Sequence, residues 1–448
     1  MNHRDVLIIG GGPAGRVIVH ALHASGRDLS VALVKDESIN VNRCAVPYGI
    51  AADKPLERYL IPNELVTDFG AELIVDRVEA IDPSAGTVTL ADGEPMSYGH
   101  LVLATGARPI IPPLPGAEAK NITSVRSRDD LSRLRGLAQQ HRRAVIVGGG
   151  YIGVEVAVVL RRLGLEVALL EMLPHVVQLT TEEEFLDEIE ADLTGHGVKL
   201  FTGARAEEFL TRDGAVSGVR LDDETVLDAD FVVLSIGVVP NAELAADAGL
   251  ETSRLGIVTD EHLRTSVPNI YASGDCVEKK SLVTGRSVRG EFGTNAVFMS
   301  KVVAANILGG DAIFPGVINA NATATFDYSF GSAGLIEPAA TTQGLSIVTG
   351  SSKVLDGYPM MDHAAPIRTK LIFEAETSRL VGGSVLRRGH ATAANVDFIS
   401  FAIQMRATID DLLRYQYATH PELAAKPSDN TYVFAAKDAK AKLAAVAV

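Results

Sequence analysis

The sequence predicts an α/β protein with two Rossmann-like dinucleotide-binding domains and an α+β C-terminal domain. Three observations carry that prediction. Gly10-x-Gly12-x-x-Gly15 follows a buried apolar run, and Gly148-x-Gly150-x-x-Gly153 follows another. From about residue 321 the chain shows strand and helix patterns but no further glycine loop. A length of 448 residues suits this architecture, at roughly 100–200 residues per domain.

Asp5-Val6-Leu7-Ile8-Ile9 carries a continuous apolar run, Val6 to Ile9, ended by glycine, the pattern of a strand buried on both faces. In the loop that follows, the first glycine permits a tight turn and the second lets backbone approach a pyrophosphate. The third lets the helix pack on the strand. The helix predicted from Arg16 to about Ser25 points its positive end at that phosphate, and a second strand runs from Ser30 to Val34. The same features recur as a strand from Ala144 to Val147, a glycine loop, a helix to about Leu163 and a strand from Glu166 to Leu170. A single glycine loop is a weak signal, whereas two in strand–loop–helix context are a strong one. Leu101 to Gly106 and Phe231 to Gly237 each read as a buried strand ending in small residues and glycine. Pro109, Pro112, Pro113 and Pro115 stiffen the connection between the halves. Asn269 to Asp275 is a further strand ending on small residues and an acid. Beyond it, strands are predicted at Ala320 to Tyr328 and Lys370 to Phe373, and helices at Ala393 to Met405 and Ile409 to Leu413. The Ala- and Lys-rich tail from Ala435 either forms a short helix or frays.

Composition narrows the function. Hydrophobic residues make up 47% and charged residues 22%, a globular balance rather than a disordered or fibrous one. Acidic residues outnumber basic ones 56 to 41, a net charge of −15, and there is no long Lys/Arg run, which argues against a nucleic-acid partner. No stretch approaches the ~20 apolar residues that span a bilayer, and the run before Gly10 is too short for a signal peptide. A soluble, cytoplasmic protein without a membrane partner is expected. Cys44 and Cys276 are the only cysteines, too few for a disulfide framework and consistent with a reducing compartment.

The order of the motifs resembles the two-dinucleotide-binding-domain flavoprotein disulfide reductases over essentially the whole chain. Gly10-Gly11-Gly12-Pro13-Ala14-Gly15 resembles their FAD loop. The segments Thr105 to Pro109 and Tyr271 to Cys276 resemble their other FAD segments, and Gly148 to Glu155 their NAD loop. The resemblance implies an FAD domain over 1–115 and 246–320, an NAD domain over 116–245 and a C-terminal domain over 321–448 that forms a homodimer. It implies FAD contacts from the first loop, from Arg43, Val78, Ala104, Thr105 and Gly106, and from Gly274, Gly293 and Thr294, with Asp275 on the ribityl chain. The acid that binds the adenosine ribose is expected at the end of the second strand. Lys35 stands at that spacing, so the neighbouring Asp36 is expected to serve. On the NAD side the resemblance adds Ile152 and Gly237 to the loop, has Tyr151 cover the flavin until nicotinamide displaces it, and puts Glu155 near the nicotinamide. Glu171 ends the matching strand. Its carboxylate suits ribose hydroxyls and repels a 2′-phosphate, and no Arg follows closely, so NADH is expected over NADPH.

The segment Asn42-Arg43-Cys44-Ala45-Val46-Pro47-Tyr48-Gly49 sets the subgroup. Two-cysteine members such as glutathione reductase carry CxxxxC there, whereas here the second position is Gly49. The segment resembles the single-cysteine branch: coenzyme A disulfide reductase, persulfide reductase, NADH peroxidase and NADH oxidase. Ferredoxin reductases of similar architecture lack this cysteine. A lone thiol must pass through a mixed disulfide or a sulfenic acid. A helix starting after Cys44 is expected to lower its pKa. Cys276, which directly follows Asp275, is expected to be a packed structural residue.

NADH peroxidases and oxidases carry a His in the first glycine loop, where this chain has Pro13, which has no acid–base group. Tyr358 and Tyr417 resemble the two tyrosines that in coenzyme A disulfide reductases reach the partner subunit's cysteine. His420-Pro421 resembles the catalytic HP pair of glutathione-reductase-like enzymes, although the usual acid five residues on is Ala425. Arg16, His20, His23 and Arg27 share one helix stripe, either a solvated face or a strip for coenzyme A phosphates. The resulting expectation is an FAD enzyme that uses NADH to reduce a disulfide, persulfide or polysulfide through Cys44, with coenzyme A involved. An NADH oxidase or peroxidase and a flavin- and NAD-binding redox sensor without turnover are the alternatives. No metal is expected.

Overall fold

The structure, a computed structural model, describes residues 2–446. It divides into two compact units. One runs to Ile110 and adds Ser124–Arg135 and Gly237–Val317; the other comprises Ile111–Thr123, Gly136–Ile236 and the chain from Ile318 onward.

The first unit is built on a seven-stranded sheet. Ala71–Val75, Val31–Lys35, Asn2–Ile9 and Met96–Leu103 lie side by side in parallel, with Ile9 opposite both Val34 and Leu103. The apolar run of the sequence becomes a central strand whose Val6, Leu7 and Ile8 are fully buried, as two-sided burial in a parallel sheet requires. Met96–Leu103 is shared: its start pairs antiparallel with Thr87–Leu90, and its end pairs parallel with Ile270–Ala272. The helices Pro13–Ala24 and Gly293–Ile307 pack on each other, burying Ile18, Leu22, Met299 and Val303. The carboxyl ends of Asn2–Ile9, Val31–Lys35, Met96–Leu103 and Ile270–Ala272 fall at one edge, where ligands bind in open α/β sheets. Ser124–Arg135, expected within the second nucleotide segment, belongs to this unit, because Arg135 Nε donates to Gly49 O at 2.7 Å and Leu131 packs beside Gly49.

The second unit holds two sheets of five strands. One is parallel, in the order Ile122–Thr123, Phe231–Leu234, Arg143–Val147, Glu166–Glu171 and Val198–Thr202. The other is antiparallel, in the order Asn321–Ala324, Tyr328–Gly334, Leu380–Arg388, Pro366–Glu374 and Ile347–Leu355. The single strand expected over Ala320 to Tyr328 is two strands, split at Thr325–Asp327. There Asp192 collects the Thr325 hydroxyl and the backbone N–H groups of Phe326 (2.9 Å) and Asp327 (3.1 Å). The tail is helical over Thr431–Val446, with Ala435 and Ala439 fully buried against Gly350, where any Cβ would fall 1.9 Å from Ala435 O.

Candidate active site

At the first glycine loop, Gly10 has φ +120° and an added Cβ would lie 2.1 Å from Ala104 O. Gly15 would likewise meet Gly10 O at 2.1 Å, whereas a Cβ on Gly12 meets nothing within 4 Å. Two of the glycines close the turn and the helix contact, and Gly12 leaves open space at the helix N-terminus, with Pro13 in its first turn. Three guanidinium groups gather around this edge. Arg43 and Arg126 both lie over Gly106, whose added Cβ would be 3.4 Å from Arg43 Nη1 and 3.8 Å from Arg126 Nη2. Burial pulls the pKa of Arg43 down, and Arg126 adds to this; burial and then Arg43 do the same to Arg16. Arg126 Nη2 donates to Asp275 at 3.1 Å, while its buried Nε has no hydrogen-bond partner among the described residues. Crowded, desolvated cations with an orphaned donor fit a bound diphosphate, so the residues present fit FAD. Arg126 escaped the sequence reading. Its signal was Ser127-x-x-Asp130, which forms a reciprocal cap at 3.0 and 2.9 Å and fixes the helix start beside it.

At the end of Val31–Lys35, Lys35 is 5% exposed and its ammonium is held by Asn63 Oδ1 (2.7 Å), Asn40 Oδ1 (3.1 Å) and Ser38 O (3.4 Å). Burial lowers its pKa. Lys35 is thus tied into its own loop, and Asp36 is exposed. The half-buried acid here is Glu37, which accepts from Asn40 Nδ2 and lies 3.9 Å from Arg43.

Cys44 is exposed and lies in a 3₁₀ turn, Arg43–Ala45, that runs into a single α-turn, Val46–Gly49. The helix expected after it is four residues long, Val46–Gly49. At Gly49 an added Cβ would meet Leu131 at 3.0 Å; packing fills the place where a second cysteine would stand. Cys276 is fully buried, its Sγ 3.4 Å from Leu103 O and Ser273 O, and burial pushes its pKa up, as suits a structural thiol. The helix stripe is interrupted: His20 stacks on Phe69 at 3.9 Å and bonds Leu65 O at 2.7 Å, and His23 meets the edge of the same ring.

At the second loop, Gly148 has φ +106°, and a Cβ on Gly153 would fall 1.9 Å from Gly148 O. Glu171 accepts from Gly149 N at 2.7 Å and from Leu173 N at 2.8 Å, which fixes its carboxylate beside the loop. Gly149 O accepts from Val177 N at 2.9 Å. Met172 is 56% exposed, and no basic side chain stands next to Glu171 in the chain. Tyr151 donates its hydroxyl to Asn321 Oδ1, and burial raises its pKa to about 12. Glu155 Oε1 accepts from Thr323 Oγ1 at 2.8 Å.

In the C-terminal segment, Tyr358 and Thr419 hydroxyls meet at 3.1 Å, and Tyr358 N donates to Pro421 O at 2.9 Å, which brings Tyr358 beside His420. The Tyr417 hydroxyl instead donates to Pro427 O at 2.6 Å. His420 is exposed and its Nδ1 accepts from Glu422 N at 3.3 Å.

Two glycine loops at the carboxyl ends of parallel strands, an arginine cradle and a lone exposed thiol define an FAD-dependent oxidoreductase that uses NAD(P)H. The chain belongs to the pyridine nucleotide-disulphide oxidoreductase family, whose pattern matches residues 4–299, and the family's dimerisation domain matches residues 321–430. It is 29% identical to the NADH oxidase of Methanocaldococcus jannaschii over 429 residues, 93% of this chain and 95% of that one. It is 30% identical to the CoA-dependent NAD(P)H sulfur oxidoreductase of Pyrococcus abyssi over 410 residues, 87% of this chain and 90% of that one. The solved structure of an NAD-dependent persulfide reductase from A. fulgidus matches with a TM-score of 0.92 at 31% identity, covering 100% of this chain and 84% of that one. Among the described residues no helix is long and apolar enough to cross a membrane.

Proposed function

We propose that the protein uses NADH to reduce the sulfur–sulfur bond of a disulfide, persulfide or polysulfide, with coenzyme A as the small thiol involved and Cys44 as the relay. The observation that carries this is Cys44, the one exposed cysteine, in a turn beside the half-buried Arg43 with Pro13 in the glycine loop. FAD, when bound, supplies two-electron storage between NADH and sulfur. The first loop, Arg16, Arg43, Arg126 and Asp275 would hold it. Cys44 as thiolate attacks one sulfur of RS–SR′, forming a mixed disulfide and expelling the other sulfur, which takes a proton. Two electrons from NADH and a second proton then open the mixed disulfide and free the second thiol. Over the cycle, RS–SR′, NADH and H⁺ give RSH, R′SH and NAD⁺. Asp36 and Glu37 are the acids proposed for the adenosine side, and 1–115 with 246–320, 116–245 and 321–448 are the proposed FAD, NAD and dimerisation domains. Tyr358, Tyr417 and His420 are the proposed proton donors, acting in a homodimer.

The NADH oxidase named among the relatives favours a second reading, with O₂ as acceptor. Pro13 weighs against peroxide chemistry, since it offers no acid–base group at the loop. Cys44→Ser tests the assignment. The variant keeps its FAD and accepts hydride from NADH at the parental rate, while turnover with coenzyme A disulfide or polysulfide falls at least about a hundredfold. Cys276→Ser keeps that turnover. Sulfur reduction at the parental rate in Cys44→Ser rejects the relay.

A further inference from the structure

Tyr151 and Glu155 lie one turn apart on the helix Tyr151–Arg162, and both bond to the C-terminal sheet. Their partners, Asn321 and Thr323, alternate on its edge strand, Asn321–Ala324. The spacings match: four helical residues rise ~6 Å and two strand residues ~6.6 Å, so one helix face and one strand face meet in register. Asn321 is oriented by its own amide, since Nδ2 donates to Asn319 O at 2.8 Å and Ser332 Oγ at 3.3 Å, which turns Oδ1 toward the tyrosine. Thr323 is 7% exposed, and its hydroxyl donates to Glu155 Oε1 at 2.8 Å. A hydroxyl that donates to one carboxylate oxygen restricts the rotamer of that side chain.

We infer that Asn321 and Thr323 are positioning residues for hydride transfer: the edge strand of the C-terminal sheet holds Tyr151 and Glu155 in the geometry that receives the nicotinamide. This rests on the reading of those two side chains as the nicotinamide-side pair. The C-terminal segment then contributes to the NADH half-reaction as well as to dimerisation.

The test uses FAD-loaded protein without oxygen. Thr323→Val keeps shape and removes the donor, Thr323→Ser restores it, and Asn321→Leu removes the acceptor. Thr323→Val and Asn321→Leu are expected to slow flavin reduction at saturating NADH about tenfold, the loss of one hydrogen bond to a positioned group. They also weaken the long-wavelength absorption of the reduced protein with NAD⁺. Half-saturation by NADH, the calorimetric Kd for NAD⁺ and FAD content stay within about twofold of the parent, and Thr323→Ser recovers rate and absorption. Tyr151→Phe and Glu155→Gln run alongside. If these two are slowed while Thr323→Val and Asn321→Leu match the parent, the positioning role is wrong and the nicotinamide-side reading stands. If Tyr151→Phe and Glu155→Gln also match the parent, that reading itself fails. Equal loss in Thr323→Val and Thr323→Ser overturns the hydroxyl's part.

Discussion

Glu171 shows how one carboxylate organises a glycine loop. Its two oxygens take backbone N–H groups from the glycine loop and from the segment after the strand, so the loop and the acid are preformed together. A preformed anion at this place suits two ribose hydroxyls and opposes a 2′-phosphate, whose charge would sit against it without a neighbouring guanidinium. The parental protein is therefore expected to reduce its flavin much faster with NADH than with NADPH at equal concentration. Glu171→Ala should shrink that ratio at least about tenfold, mostly by slowing NADH. Stopped-flow reduction of both proteins measures it, and an unchanged ratio in Glu171→Ala would remove Glu171 from specificity. The comparison between Cys44 and Cys276 is of the same kind. Two identical side chains have opposite prospects because one is exposed in a turn and the other is sealed behind Leu103 and Ser273.

At the scale of elements, the start of the helix Glu183–Gly195 carries a titratable joint. Glu182, fully buried at its N-cap, accepts from Glu337 N at 3.1 Å and lies 3.4 Å from Lys370 Nζ, which also reaches Glu184 at 3.0 Å and Glu337. Burial outweighs Lys370 and raises the Glu182 pKa to about 7. A carboxyl raised on folding favours the protonated form in the native state. Its contribution is complete below the unfolded value of ~4.3 and is lost as pH rises through about 7. Glu182→Gln does not titrate, so its Tm relative to the parent should climb between pH 5 and pH 8, by up to about 3 kcal/mol in stability. Melting curves across that range decide it, and a constant difference counts against the joint. Elements were legible in the sequence in proportion to how far local pattern decides them. The parallel strands Asn2–Ile9 and Arg143–Val147 contain the unbroken apolar runs Val6–Ile9 and Ala144–Val147, and their glycine loops announced the helices. Leu380–Arg388 was not legible: its Gly382-Gly383 reads as a loop, yet a Cβ on Gly382 would lie 1.8 Å from Leu335 O, so close strand approach demands the glycine. Ile347–Leu355, an outer strand, has no clean alternation to read. In the candidate site, the glycines, Cys44 and Glu171 could be nominated from the sequence because their chemistry is local. Arg126 was not, because only tertiary packing brings it to Asp275.

At the scale of the whole molecule, the dimerisation domain asks where the proton for a departing thiolate comes from. The C-terminal segment carries no glycine loop but brings Tyr358, Thr419 and His420 together on adjacent stretches, with Tyr417 two residues before Thr419. A phenol, whose ordinary pKa is ~10, is protonated at neutral pH and suits donation to sulfur within ~3 Å. His420 is a weaker candidate, because no acid stands at Ala425 to orient it, and its Nδ1 is already occupied by a backbone N–H. If the tyrosines serve the Cys44 of a second copy, each single-site defect inactivates both centres of its own homodimer. A mixed dimer of Cys44→Ser with Tyr358→Phe/Tyr417→Phe behaves differently: one of its two centres pairs an intact Cys44 with two intact tyrosines. Subunit exchange between the inactive homodimers, followed by native mass, should restore sulfur-dependent NADH oxidation. At a statistical mixture, half of the dimers are mixed, each with one working centre of two, so recovery should reach about a quarter of the parental rate per chain. If exchange is complete by mass and no activity returns, a cysteine and tyrosines from opposite chains do not form the centre. If the double tyrosine variant is itself active, the proton comes from elsewhere, and His420→Gln becomes the variant to measure.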